Sequence, residues 1–282
     1  MIKKLINYLQ DVRDRQLINI ALTKGVAMMH ARNIDLTKPG TWEFSGFSQN
    51  GEDGILDVLR KKLLSSNRYF IEIGSADGIQ NNSSWLVVAE QYNGLMIEGD
   101  KRLVERAKRL ILRYSIGVAT LNMFVNAQNI KELRALALHN DPDIFSLDID
   151  GIDYYIAKSI MDSGFRPKIF VVEYNSVYGP ERSMTIPYQE NFVFTKAHST
   201  HLYYGVSICA WKKLFNEYGY HFITLDRQGV NAFFVDPVCF DADFLDKVNN
   251  LNFVENTYQY KKFKGPHEEQ FKKIQDKVFT YV

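Results

Sequence analysis

A chain of 282 residues, 46% of them apolar, has material for one large globular unit or two small ones. Its 34 basic and 33 acidic residues nearly cancel, which excludes the strong positive field that gripping nucleic acid requires. No run of about 18 apolar residues occurs, so no membrane span is expected. The start, Met1 to Gln10, lacks the apolar core and cleavage site of a signal peptide, and Cys209 and Cys239 give no disulfide framework. A cytoplasmic protein is the expectation.

Residues 1–45 read as an N-terminal helical extension, because Leu5, Ile6, Leu9 and Val12 recur at helical spacing among Lys and Arg. Such a face packs on the core or on a second subunit, so a homo-oligomer through this helix is one reading. The interrupted apolar stripe disfavours a membrane-surface helix. Ser48, Gly51 and Glu52 suit a helix start, continued by Ile55–Leu64. The strand Tyr69–Ile73 follows, then a helix Ser84–Tyr92 ended by Asn93-Gly94, with the glycine as left-handed cap. Leu95–Glu98 is a strand, Lys101–Tyr114 a helix, Ala119–Val125 a strand and Ile130–Leu138 a helix. Asp143–Ile149 is the fourth strand, Asp153–Ser163 a helix closed by Gly164, and Lys168–Tyr174 the fifth strand. Strands alternating with helices imply crossovers and a parallel sheet.

The ending breaks this rhythm. Residues 176–204 form a long aromatic and polar connection, expected to be a lid or binding loop over the acceptor. Val206–Tyr218 is a helix capped by Gly219. The strands His221–Asp226 and Val230–Asp236 are joined by Arg227-Gln-Gly alone, a link that only antiparallel strands can use. The α/β sheet is therefore expected to end in an antiparallel last strand, within a domain spanning 46–239. Residues 240–282 read as a C-terminal helical tail.

Phe70-Ile-Glu-Ile-Gly-Ser-Ala-Asp-Gly78 carries the chemistry: a strand breaking into a turn with glycines at 74 and 78 and acids at 72 and 77. Parallel sheets bind ligands at the carboxyl ends of their strands, where glycine permits close backbone approach. Glu98, ending the next strand, is placed to accept hydrogen bonds from a ribose diol. The turn lacks the three glycines of a pyrophosphate-binding fingerprint, and Asp77 would repel a pyrophosphate while suiting an amino group.

A second, acidic constellation comprises Asp148 and Asp150, spaced by two on the fourth strand, with Asp153 beyond them and Glu173 and Asn175 at the neighbouring strand end. Asp148, Asp150 and Glu173 could hold Mg²⁺ or another divalent cation, which would lower the pKa of an acceptor hydroxyl. The alternatives are a metal-free polar substrate site, or helix capping by Asp150 or Asp153. His198 and His201, three apart in the long loop, are candidates for a general base, although a loop histidine is as often only solvated.

Phe70–Gly78 with Glu98 resembles motifs I and II of class I S-adenosylmethionine-dependent methyltransferases, whose sheet has the reversed last strand expected above. Ser48–Gly54, Asn81-Asn82, Ile97-Glu-Gly-Asp100, Ser146–Tyr154 and Val172-Glu-Tyr-Asn175 narrow the likeness to the FkbM-like branch, many of whose members O-methylate sugars or secondary metabolites. The resemblance spans roughly residues 45–236. It implies that Glu72, Gly74, Ser75, Asp77 and Gly78 surround the methionine end of the cofactor, with Glu98, Gly99 and Asp100 at the ribose. By the same likeness Asn126 reaches the adenine edge, and Gln49 and Glu52 the cofactor's amino-acid end, unless they only cap a helix. The expected activity is methyl transfer to a hydroxyl of a glycan or small metabolite, carried out with S-adenosylmethionine. The rivals are an NAD-linked oxidoreductase of Rossmann type and a non-catalytic partner protein with a cofactor fold.

Overall fold

The computed structural model describes residues 2–111 and 113–282, with side chains from Tyr8 onward. In chain order the elements are α1 (Ile2–Ala31), α2 (Glu52–Lys61), β1 (Tyr69–Ile73), α3 (Ser84–Val88), β2 (Asn93–Glu98), α4 (Lys101–Ile111), β3 (Val118–Asn122), α5 (Ile130–Leu136), β4 (Ile144–Leu147), α6 (Asp153–Asp162) and β5 (Ile169–Glu173). They continue with β6 (Met184–Thr185), α7 (Phe194–Ala197), α8 (Ile208–Glu217), β7 (His221–Leu225), β8 (Asn231–Val235), α9 (Ala242–Lys247), α10 (Thr257–Phe263), α11 (His267–Phe271) and β9 (Thr280–Tyr281).

Side chains alternate across a strand, and that period builds three layers. Phe70, Met96, Ile144 and Val171 point to the face covered by α2, α3 and α9, while Ile71, Leu95, Phe145 and Phe170 point to the face covered by α5, α6 and α8. Seven strands pair in the order β3-β2-β1-β4-β5-β8-β7. All pairs are parallel except those of β8, which runs antiparallel to both β5 and β7. The chain turns outward to β2 on one side of β1 and to β4 on the other, so the switch point of this doubly wound sheet lies between β1 and β4. This is the Rossmann-like sheet with a reversed last strand that the short 227–229 link dictates.

Several local expectations are corrected. Within the 1–45 extension the helix itself ends at Ala31, and a single helical turn follows at Pro39–Thr41. The side chains of Leu5 and Ile6 lie outside the described residues, and Leu9 is exposed. The face that packs is Asp14, Ile18, Ala21 and Gly25, against Phe44, Phe47 and Trp85. Gly94 is no helix cap but a strand residue, where a Cβ would lie 2.3 Å from the Phe70 carbonyl oxygen; α3 closes earlier, at Ala89. The 176–204 connection is largely anchored. Val177, Tyr178, Met184 and Leu202 share a core with Ile274, and β6 pairs with β9 of the C-terminal tail. Its middle, from about Tyr188 to His201, lies largely at the surface, as do Pro180 and Glu181.

Candidate functional site

Strand register lines up one row of residues along the carboxyl edge. Ile73 pairs with Ile97 and with Leu147, so Gly74 sits between Glu98 and Asp148. Leu147 pairs with Val172 and Glu173 with Asn231, which extends the row to Glu98, Gly74, Asp148, Glu173 and Asn231. Gly74 is indispensable to it. Its φ is +84°, and a Cβ there would meet the Asp148 carbonyl oxygen at 1.6 Å.

Beside this row opens a cleft of about 390 Å³, a size suited to a small ligand. Glu98 forms part of its wall, with one carboxylate oxygen accepting from Ala76 N (3.0 Å) and the other from Asp100 N (2.8 Å). Both oxygens keep a lone pair for a ligand. Gly99, Met123, Phe124 and Val125 continue the wall, and Phe124 is 53% exposed at the mouth. A fixed carboxylate beside an unpacked aromatic face suits a nucleoside: the acid takes the diol and the ring takes the base. Sequence reasoning missed Phe124, whose only signal is an aromatic directly after the third strand.

The glycine turn serves this cleft less directly than expected. Gly74 and Ala76 line it, whereas Ser75 is buried, its N–H bonded to Ile97 O (3.1 Å) and its carbonyl accepting from Gly78 and Asn81. Asp77 is outside. Its carboxylate pairs with Arg106 (2.7 Å), which also binds Asp14 of α1, so Asp77 fastens the turn to the N-terminal helix. Gly78 packs against Ala107 and Ile111. Asp100 is likewise spent, pairing with Arg102 (2.7 Å) and accepting its N–H at the start of α4; these bonds pull its pKa down to about 2. Asn126 folds the turn before α5 by accepting from Gln128 N and Asn129 N, and donates to Glu190. It does not line the cleft, and Met123 to Val125 occupy the place assigned to it.

Asp148, Asp150 and Glu173 do converge: each offers a carboxylate oxygen within 4.8 Å of the others. The cause differs from the predicted one. β4 ends at Leu147, so Asp150 is not on a strand; it sits in a left-handed turn at φ 52°, which aspartate tolerates better than most residues. Desolvation raises all three pKa values, reinforced at Asp148 by Asp150 and Asp153, at Glu173 by Asp148 and Asp150, and at Asp150 by Asp153: Asp150 rises to about 6, Asp148 and Glu173 well above the usual range. Tyr204 OH donates to Glu173 (3.2 Å). Hard oxygen ligands at such mutual distances suit a divalent cation. Asp153 is set apart as the turn's cap, accepting from Ile149 N (2.9 Å) and Gly151 N (2.8 Å).

The other catalytic candidates are elsewhere. Asn175 is consumed in structure, donating to the Leu202 and Tyr204 carbonyls and accepting from Val177 N. His198 bonds Thr200 (2.7 Å), and His201 packs edge-on against Phe194; neither lines the cleft. The residues of that loop that do line the cleft are Glu190 and Phe192.

A second chamber of about 200 Å³ adjoins the cleft and shares Gln49, Gly74, Gln80 and Asp148 with it. Gln49 is thus at the boundary, and Glu52 is a wall of the chamber with Glu72. The helix-start role expected of Glu52 belongs to its neighbour Asp53. Asp53 accepts from the N–H groups of Gly46, Phe47 and Ser48, while Ser48 Oγ accepts from Asp53 N. Glu72 accepts from Asn82 N (2.9 Å) and from Ser83 Oγ, and burial pushes its pKa up to about 7.

No protein-family model matches the sequence, and no curated protein matches it significantly. Among solved structures the chain is similar to a precorrin-6y C5,15-methyltransferase from Geobacter metallireducens, at 13% identity over 60% of this chain and 71% of that one, with a TM-score of 0.36. It is also similar to a TehB-like SAM-dependent methyltransferase from Corynebacterium glutamicum (11% identity, 83% of this chain and 99% of that one, TM-score 0.38). An O-methyltransferase from Bacillus cereus in complex with SAH is a third (11% identity, 83% and 98%, TM-score 0.39). These likenesses are distant. It is the strand order with its reversed β8 that makes this the Rossmann-like fold of class I methyltransferases.

Proposed function

We propose that the protein is an S-adenosylmethionine-dependent O-methyltransferase of the FkbM-like kind, acting in the cytoplasm on a hydroxyl of a small molecule or glycan. The observation that carries this reading is Glu98, fixed by two backbone N–H groups at the carboxyl end of β2 and facing the cleft beside Phe124. That pair fits an adenosine, while the absence of a three-glycine turn speaks against the pyrophosphate of a nicotinamide dinucleotide. When bound, the cofactor supplies a methyl group on a positive sulfur.

The chain's own residues handle orientation and the proton. Asp148 stands beside Gly74, where the cleft meets the chamber, so an acceptor hydroxyl between Asp148 and Asp150 points toward the cofactor site. A carboxylate with its pKa lifted to about 6, as for Asp150, is ionised at neutral pH yet basic enough that it would take the proton of an acceptor hydroxyl. Positioning supplies the remainder. A second reading draws on the 4.8 Å convergence: a divalent cation on Asp148, Asp150 and Glu173 would relieve their repulsion and acidify the hydroxyl itself.

Residues 46–239 are read as the catalytic domain, 1–45 as an extension and 240–282 as a tail. Exposed Leu9, Ile20 and Val26 on α1 support self-association through that helix, which sedimentation would detect. The functional test is incubation with methyl-labelled S-adenosylmethionine and pooled cytoplasmic metabolites and glycans. Label in an alkali-stable ether supports the reading, and no transfer to any fraction contradicts it. Full turnover after EDTA treatment removes the cation version only.

A further inference from the structure

We propose that Glu190, from the connection between β5 and α8, recognises the exocyclic amine of the cofactor's base. The protein would then select a 6-aminopurine nucleoside and reject its 6-oxo counterpart. The inference rests on the methyltransferase reading above.

The nucleoside half of such a cofactor has hydrogen-bond donors in two places, the ribose hydroxyls and the amine of the base. Glu98 answers the first. The other carboxylates lining the cleft are Asp148, Asp150 and Glu190, and among the described residues no Lys, Arg or His lines it. Asp148 and Asp150 converge with Glu173 at the boundary with the smaller chamber. Glu190 is the remaining acceptor, and its surroundings place it on the side of the base.

Two bonds fasten its segment to the turn that follows Phe124. Asn126 Nδ2 donates to Glu190 Oε1 (3.2 Å), and Tyr188 OH donates to Gln128 Oε1 (3.0 Å). Two residues on, Phe192 packs against Gly151 on the opposite wall, where an added Cβ would lie 3.1 Å from the ring. Among the described residues only the Oε1 atom of Glu190 is bonded. The Asn126 amide orients the carboxylate, and the second oxygen is available to an amine while the Phe124 ring takes the face of the base. A carboxylate has no proton to donate, so the O6 atom of a 6-oxopurine would meet repulsion as well as lose a bond. Asn126 is thus a positioning residue: it serves the base through Glu190 without lining the cleft itself.

The test is calorimetric titration of S-adenosylhomocysteine and of S-inosylhomocysteine into the full chain and into Glu190→Gln. The wild type should bind the 6-amino compound at least about tenfold more tightly. In the variant the amide can turn to donate to O6, so the preference should shrink to within about threefold or reverse. Glu190 is exposed, and an unchanged melting temperature confirms that the variant folds. Asn126→Ala, which leaves the carboxylate in place but unoriented, should lower the preference by a smaller factor. A purely structural Glu190 would leave the ratio of the two affinities unmoved. Equal affinity of the wild type for both compounds overturns the proposal, and so does a preference of the same size in Glu190→Gln. Binding of neither compound overturns the methyltransferase reading and this proposal with it, whereas binding of both without preference removes the recognition of the amine alone.

Discussion

β4 carries an acid at each end, and the two are treated in opposite ways. Asp143, before the strand, is buried and surrounded by donors: Lys168 Nζ (2.8 Å), Asn67 N (2.9 Å), Arg68 N (3.0 Å), Tyr92 OH (3.1 Å) and Ser66 Oγ. Asp148, after the strand, faces Asp150 and Glu173, and among the described residues no cation is paired with any of the three. One end of the strand is compensated and the other is not. Uncompensated carboxylates cost stability, so a fold that gathers them at its ligand-binding edge and neutralises them at the opposite edge separates structure from chemistry. The amino edge holds the sheet; the carboxyl edge is poised for a positive ligand.

The largest effect should come from breaking the compensated end. Lys168→Met leaves Asp143 buried without its counter-charge and should lower unfolding free energy by about 3–5 kcal/mol in urea titration. A loss below about 1 kcal/mol would erase the contrast. Next comes pH. Glu72 in the fold has its pKa at about 7, against roughly 4.3 for an unfolded glutamate. The folded state therefore holds an extra proton between those values, and stability falls as pH rises from about 4 toward 7, then levels off. Buried Asp53, also raised to about 7, and Asp150, raised to about 6, add in the same direction, so melting between pH 5 and pH 8 without ligand should show a decline of at least about 2 kcal/mol. A rise across that window would mean the acids at this edge are satisfied after all.

Neutralising the uncompensated end should have the smaller effect on stability and the opposite sign. Glu173→Gln keeps the shape, removes one repelling charge, and should leave stability unchanged or raise it by up to about 1 kcal/mol, while methyl transfer falls by at least about tenfold. Destabilisation as large as that of Lys168→Met would put Glu173 in the structural class. Phe124→Ala is milder still: with its ring at the mouth of the cleft, cofactor affinity should weaken by about 1 kcal/mol with little change in melting.

The sheet is legible in the sequence because its signals are local. Alternation sets the strand faces, and a three-residue link admits only antiparallel neighbours, so the reversed β8 follows from the spacing of two strands alone. Glu98, Asp148 and Glu173 are legible for a related reason: parallel strands in register bring their ends together whatever lies between, whereas Asp150 joins them through a left-handed turn that strand spacing does not show. What the sequence hides are long-range claims on individual side chains. Asp77 is taken by Arg106, 29 positions on, and Asn175 by the Leu202 and Tyr204 carbonyls. Glu52 faces Asn231, 179 positions away, so the chamber is invisible in any single motif. His198 and His201 have spacing but no place in the cleft. Residues 176–204 read as a lid because nothing in their composition shows that Tyr178 packs on Phe279 from the C-terminal tail.

The central claim is that the carboxyl edge around Glu98 binds a nucleoside cofactor. Calorimetric titration of S-adenosylhomocysteine into the wild-type protein and into Glu98→Ala tests it most directly. One molecule should bind per chain, and the substitution, which removes a charged acceptor fixed by Ala76 N and Asp100 N, should cost about 1.5–3 kcal/mol of affinity with the melting temperature retained. Equal affinity in both proteins, or no binding to the wild type, would contradict the account.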